Sequence, residues 1–194
     1  FQPSAVLAFT FFAFMAMGSI GLMTLGADTL TMLLGISDDK ASLIISLQLT
    51  GAMCGTLIGG VLADRISRHD LMTAIVVTGG VTILLVVPFI KPTSLIILLI
   101  CFIPFGVCYG IAGPMRDMVV RSIAPTGSAG KVFGFTYSGM DVGSAVATFL
   151  FGLMLENYLS FWNMILVSAF MMSGVFCILF AKLASGKSTL NAPI

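Results

Sequence analysis

Between residues 60 and 70 the chain reads Gly60-Val61-Leu62-Ala63-Asp64-Arg65-Ile66-Ser67-Arg68-His69-Asp70, a knot of charge between two long apolar runs. Ala41 to Ala63 before it and Leu71 to Ile90 after it contain no Asp, Glu, Lys or Arg beyond the knot itself. A helix rises ~1.5 Å per residue, so ~20 apolar residues cross a ~30 Å hydrocarbon core. Working outward, charge-free runs recur from Phe1 to Ala27, Pro92 to Met115 and Asn157 to Ala181, and Val132 to Leu155 is broken by Asp141 alone. The 194 residues are 58% hydrophobic and 9% charged, with a mean hydropathy of +1.12. A soluble domain would need far more charge to cover its surface. The chain therefore reads as an all-α membrane protein of six transmembrane helices, with spans at about 4–27, 41–63, 71–90, 94–115, 131–155 and 160–181. These form one domain over 1–181, followed by a tail over 182–194, and leave no room for a soluble catalytic domain.

The net charge of +1 gives no case for nucleic acid, but its placement is informative. Arg65, Arg68, Arg121, Lys131, Lys182 and Lys187 fall in alternate connections and the tail, while Lys40 and Lys91 alone occupy the others. Cytoplasmic loops carry the Lys/Arg excess, so the 64–70 and 121–131 connections and both termini are expected in the cytoplasm, with the protein in the plasma (inner) membrane. Gly35 to Lys40, Lys91 to Thr93 and Glu156 to Ser160 are then the outer loops, and Asp64 to Asp70 and Ala124 to Gly130 the inner ones. Cys54, Cys101, Cys108 and Cys177 all lie within spans and lack metal-ligand spacing, so they read as buried small residues; no metal site or cofactor is expected. The first span has no basic n-region and is too long for a signal sequence. A start at Phe1 rather than Met points to a fragment or processed segment.

Sliding the chain on itself by 92 residues lays Gly18, Gly21, Gly35, Gly51 and Gly60 over Gly110, Gly113, Gly127, Gly143 and Gly152. Chance would match about one glycine. Three spans separate the copies, so the second crosses the membrane inverted, a 3+3 inverted repeat. Gly60-x-x-x-Asp64-Arg65-x-x-Arg68 also resembles the loop signature G-x-x-x-D-R/K-x-G-R/K-R/K of the major facilitator superfamily. It departs at Ser67, where the family has glycine, and at His69, where it has a base. Such a degenerate copy is usual after the second helix of the C-terminal half, so the resemblance implies that half, with an N-terminal six-helix half as its missing partner.

Gly60, Asp64, Arg65 and Arg68 are read as a gating motif that would lock one conformation, with Arg116, Asp117 and Arg121 as a structural ion-pair cluster around Asp64. Physically, glycine lets a neighbouring helix approach and a carboxylate at the membrane face can pair with arginine. The plainer alternative makes Arg65 and Arg68 positive-inside anchors, Asp64 a solvated loop charge and His69 an interfacial loop residue. Asp117 and Arg121 share a helix face at i,i+4, which adjacent residues do not. Asp64 is expected to contact Arg116 or Arg121. Small-residue ridges at Gly51/Gly55/Gly59, Gly106/Gly110 and Gly139/Gly143 predict close helix contacts, and Pro88, Pro104 and Pro114 each remove a backbone donor.

Asp141, about ten residues past Lys131, lies ~15 Å deep. Such a carboxyl costs ~2.5–3.5 kcal/mol at a helix centre, so it faces a cavity or a partner. The same helix carries Tyr137 and Ser138; Gln48 and Thr50 are in the second span and Tyr109 in the fourth. The resemblance implies that the first, second, fourth and fifth helices line a central path, which makes these six residues candidates for the substrate and proton path. Polar side chains satisfying one another between helices explain them equally well.

The leading expectation is proton-coupled secondary active transport of a small solute by alternating access; no enzyme is expected. A non-transporting six-span receptor or assembly subunit is the alternative. An intramembrane protease is disfavoured, because one deep aspartate, without Gly-x-Gly-Asp, and a single histidine in a loop supply no such chemistry. The scarcity of membrane charge favours a neutral, cationic or lipophilic substrate over a polyanion.

Overall fold

The computed structural model describes residues 3–124, 127 and 129–190. Six helices follow one another: α1 Pro3–Leu34, α2 Asp38–Arg65, α3 His69–Ile90, α4 Leu95–Ile123, α5 Ala129–Glu156 and α6 Ser160–Leu190. All six are long and apolar enough to cross a membrane, and the described residues contain no strand. Every expected span coincides with one helix, but the helices are longer. α1 continues past Asp28 to Leu34 because Thr31 bonds back to the Ala27 carbonyl at 3.0 Å and forward to Asp38 at 3.2 Å. Of the expected tail, helix backbone runs on to Leu190, while 191–194 lie outside the described residues, as do Phe1 and 125, 126 and 128 of the expected 124–130 loop.

The stops are local chemistry. Gly35, at φ +66°, ends α1 with its N–H on the Thr31 carbonyl, and Asp38 and Asp39 then sit in the first turn of α2, where the helix dipole favours acid. Lys91 closes α3 in the left-handed region and Pro92 forbids continuation. At the end of α5, Leu159 N–H reaches the Met154 carbonyl at 2.8 Å and Tyr158 N–H the Leu155 carbonyl at 3.0 Å, a Schellman closure. His69 ties the 64–70 connection together: its Nε2 lies 2.9 Å from the Ala63 carbonyl in the last turns of α2.

Short connections make consecutive helices antiparallel, so α2 and α4 run parallel, as do α1 and α5. Both parallel pairs are glycine contacts. A Cβ at Gly51 or Gly59 would stand 2.8 or 2.7 Å from the carbonyl oxygens of Ile103 and Ile111, and one at Gly55 would strike Val107. From the other side, Gly106 and Gly110 rest on the backbones of Gln48 and Ala52. Gly139 and Gly143 likewise rest on Phe9 and Ala13 of α1. Parallel dipoles disfavour such pairs, and the dispersion of touching backbones outweighs that in lipid. α1 also packs on α6, where Met171 lies against Gly18, and Phe11 and Met15 lie against Gly174.

Exchanging α1–α3 with α4–α6 turns the α1·α5 contact into α4·α2 and α1·α6 into α4·α3, and all four contacts are made. This is the inverted repeat in three dimensions. Three of its five glycine matches are equivalent in role. Gly35 and Gly127 both have positive φ, Gly51 and Gly143 both touch a parallel backbone, and Gly60 and Gly152 both face open space. The other two are not, because Gly18 and Gly21 make room for the side chains of Met171 and Phe151, whereas Gly110 meets the Ala52 backbone and Gly113 meets nothing.

Candidate solute and proton path

Towards the end of the bundle that carries Arg65 and Arg121, α4 presents Arg116 and Asp117 on successive residues. The Arg116 side chain is 14% exposed and lies over the Phe12 ring of α1, 5.0 Å from its centroid. Its Nε is 3.6 Å from Asp117 Oδ1, the one ion pair within 4.0 Å among the described residues, and is too far for a hydrogen bond. Tyr137 of α5 donates its hydroxyl to the same Oδ1 at 3.1 Å, and its ring lies 5.0 Å from that of Phe12. One balanced cluster thus joins α1, α4 and α5. Arg116 and Asp117 also line an open pocket of about 240 Å3 with Thr56 of α2 and Tyr109 and Gly113 of α4.

The structure redraws the two groups of residues expected from sequence. Tyr109 and Tyr137, expected on the path, come together with Arg116 and Asp117, expected in the gate. Asp117 is held by its neighbour Arg116 and by Tyr137, and forms no ion pair with Arg121 within 4.0 Å. Asp64, Arg65, Arg68 and Arg121 are exposed, and Asp64 forms no ion pair within 4.0 Å among the described residues. Gly60 admits no close neighbour, since a Cβ there would meet nothing within 4 Å; the close approach falls one residue earlier, at Gly59. Ser67 needs no glycine-like backbone, because its φ is not positive.

Asp141 lies one turn beyond Tyr137, ~6 Å further along α5. It is exposed and makes no hydrogen bond or ion pair among the described residues. Around α5, Tyr137, Asp141 and Thr148 occupy one exposed arc with Ser138 at its edge; Val142, Val146, Phe149 and Leu153 fill the next arc, and Gly139, Gly143 and Ala147 bury the remaining side. The hydroxyls of Ser138 and Thr148 return to the carbonyls of Phe135 and Ser144 at 2.7 and 3.1 Å. The Asp141 carboxyl is the group that this arc leaves without a partner. Thr50 does not join the others. It sits among exposed Leu43, Leu57 and Val61, and its hydroxyl bonds the Ser46 carbonyl at 3.0 Å.

Gln48 is buried against α1 and α4, beside Ser19 of α1. Ser19 and Phe12 were not singled out in the sequence: a serine and a phenylalanine in an apolar span carry no local signal. A cavity shared with Gln48 gives Ser19 its role, and the guanidinium of Arg116 over its ring gives Phe12 its own.

A family model described as the Major Facilitator Superfamily matches residues 6–192. A curated MFS-type transporter of Aspergillus fumigatus is 24% identical over 158 residues, which cover 81% of this chain and 36% of that protein. The match thus takes in little more than a third of the relative's length.

Proposed function

The chain belongs to the major facilitator superfamily, and from that premise we propose that it is the C-terminal six-helix half of a secondary transporter. It carries a small solute by alternating access, with a proton as the coupling ion. The observation that carries this reading is the exposed polar arc of α5. A carboxylate at the depth of Asp141 costs ~2.5–3.5 kcal/mol against hydrocarbon. That arc, with the pocket under Arg116 and Asp117, therefore meets water, solute or another protein surface, and an N-terminal six-helix half is the surface that the inverted-repeat architecture supplies.

On this reading Asp141 carries the proton and Tyr109, Tyr137, Arg116 and Asp117 contact the solute. Asp64, Arg65 and Arg68 lie at the cytoplasmic surface and engage the other half when the inner side closes; their exposure in this chain leaves them free to do so. The termini are cytoplasmic and the protein resides in the plasma membrane. The test is proton flux into vesicles that hold the complete protein, measured with a panel of drugs, sugars and organic acids. Solute-dependent proton movement is expected. Solute exchange with no proton movement would remove the coupling, and absence of any exchange across a broad panel would count against transport itself.

A further inference from the structure

Between α1, α2 and α4, halfway along the bundle, Ser19, Met23, Gln48, Leu49, Phe105 and Tyr109 line a partly open cavity of about 70 Å3. Gln48 is 5% exposed, and its Oε1 has no hydrogen-bond partner. Ser19 Oγ, equally closed to solvent, has none either. Other hydroxyls on these helices bond their own backbone: Thr29 to the Leu25 carbonyl, Thr73 to that of His69 and Ser168 to that of Met164. Ser19 does not.

A buried acceptor without a partner is destabilising, and a leucine at position 48 would fill the same space with no such cost. Two such atoms beside one cavity have a common explanation if the cavity holds what they lack. Gln48 Oε1 can only accept, and the Ser19 hydroxyl can accept or donate. The occupant must therefore donate. It must also be uncharged, because no Asp, Glu, Lys, Arg or His lines the cavity and a bare charge would find no counter-charge. A water requires ~10–15 Å3 of free space, so there is room for more than one, or for a short hydroxyl-bearing arm.

We propose that this cavity is a binding site for an uncharged O–H donor, which bridges Gln48 Oε1 and Ser19 Oγ. In the protein at rest the donor is water; during passage a solute hydroxyl takes its place. The site also lies where α1 meets the tightly packed α2·α4 pair, so its occupant completes the polar contacts between these elements. The water site stands apart from the transport reading, whereas its replacement by a solute hydroxyl rests on that reading.

The test is a high-resolution structure of the complete protein in nanodiscs, without added solute and again with glycerol as the hydroxyl probe. Density within hydrogen-bonding distance, ~3.2 Å, of both Gln48 Oε1 and Ser19 Oγ is expected. Water in both samples identifies water as the donor, and its replacement by a glycerol hydroxyl adds the second source. A cavity empty in both, or a Gln48 side chain turned to a protein partner, overturns the proposal. Gln48→Met should lose the density and Gln48→Glu, which keeps an oxygen acceptor, should retain it; unchanged density in the Met variant would also overturn it. If Gln48→Met does not fold, Ser19→Ala should shift the density away from α1, and an unmoved peak counts against the bridge. A protein that carried no solute at all would leave these outcomes readable.

Discussion

Asp117 and Asp141 are both carboxylates of membrane-spanning helices, yet their surroundings differ. Asp117 accepts from Tyr137 and faces Arg116, so its charge is already balanced. Asp141 has no such partner among the described residues and lies on a face that the chain leaves uncovered. The proton role proposed for Asp141 rests on that unpartnered, uncovered position. In the complete transporter, Asp141→Asn is therefore expected to keep solute exchange and abolish proton-driven accumulation; normal accumulation at normal expression would make Asp141 purely structural. For the Asp117 cluster the expected effects are on stability. Tyr137→Phe deletes one half-exposed hydrogen bond and should cost about 1 kcal/mol. Asp117→Asn leaves the largely buried Arg116 without its counter-charge and should cost more, about 2 kcal/mol, although the Phe12 ring retains part of the attraction. Thermal unfolding of the two variants in one detergent checks the order, and a reversed order would mean that Arg116 does not depend on Asp117. Depth along a helix was legible in the sequence, which is why Asp141 could be singled out. Partners on other helices were not: nothing in the sequence pairs Asp117 with Tyr137 of α5, and the Asp117–Arg121 spacing, good on paper, forms no ion pair within 4.0 Å.

The helices themselves were legible almost in full, because a run of apolar residues long enough to span a membrane has no other stable use, and Gly35, Pro92 and the Asp38-Asp39 pair punctuate it. Which glycines carry contacts was legible only in part. The ridges at Gly51/Gly55/Gly59, Gly106/Gly110 and Gly139/Gly143 do meet neighbouring helices, but the glycine of the loop signature, Gly60, points into open space. One residue is a 100° turn on a helix, so motif position alone does not assign a face. The contrast gives a measurable pair of substitutions. Gly55→Ala would drive a methyl into the Val107 backbone, which cannot yield without moving α4; a loss of about 3 kcal/mol is expected, the upper end of the overpacking range. Gly60→Ala meets nothing and replaces a poor helix former by a good one, so stability should be unchanged or rise by up to ~1 kcal/mol. Both are read as midpoints of thermal unfolding. A destabilised Gly60→Ala in the complete protein, with Gly55→Ala as the reference, would show that Gly60 is instead packed against the other half.

On the scale of the whole molecule, the inverted repeat places two parallel glycine pairs, α1·α5 and α2·α4, on either side of a face that carries Tyr109, Tyr137 and Asp141. Arg65, Arg68, Arg121 and Lys131 fall at one end of the bundle and only Lys40 and Lys91 at the other, and the positive-inside bias predicts that the 64–70 loop is cytoplasmic. Ser67 and Thr93 are exposed at opposite ends, so an impermeant thiol reagent applied to intact cells should spare Ser67→Cys and label Thr93→Cys; the reverse pattern would invert the topology. The same face also governs what the chain does alone. A surface that alternates the polar arc of Tyr137, Asp141 and Thr148 with the apolar arc of Val142, Val146 and Phe149 suits neither lipid nor water throughout. Polar groups facing hydrocarbon are costly, so a surface of this kind is stable against a matching protein wall or a hydrated cavity. On the proposed reading, alternating access requires two bodies that rock about the bound solute, and these six helices would be one of them. The purified 194-residue chain, held as a monomer in vesicles, is therefore expected to neither accumulate nor exchange solute. Adding a separately expressed N-terminal half should restore exchange, and uptake by the monomer alone would show that the polar face is sufficient without a second wall.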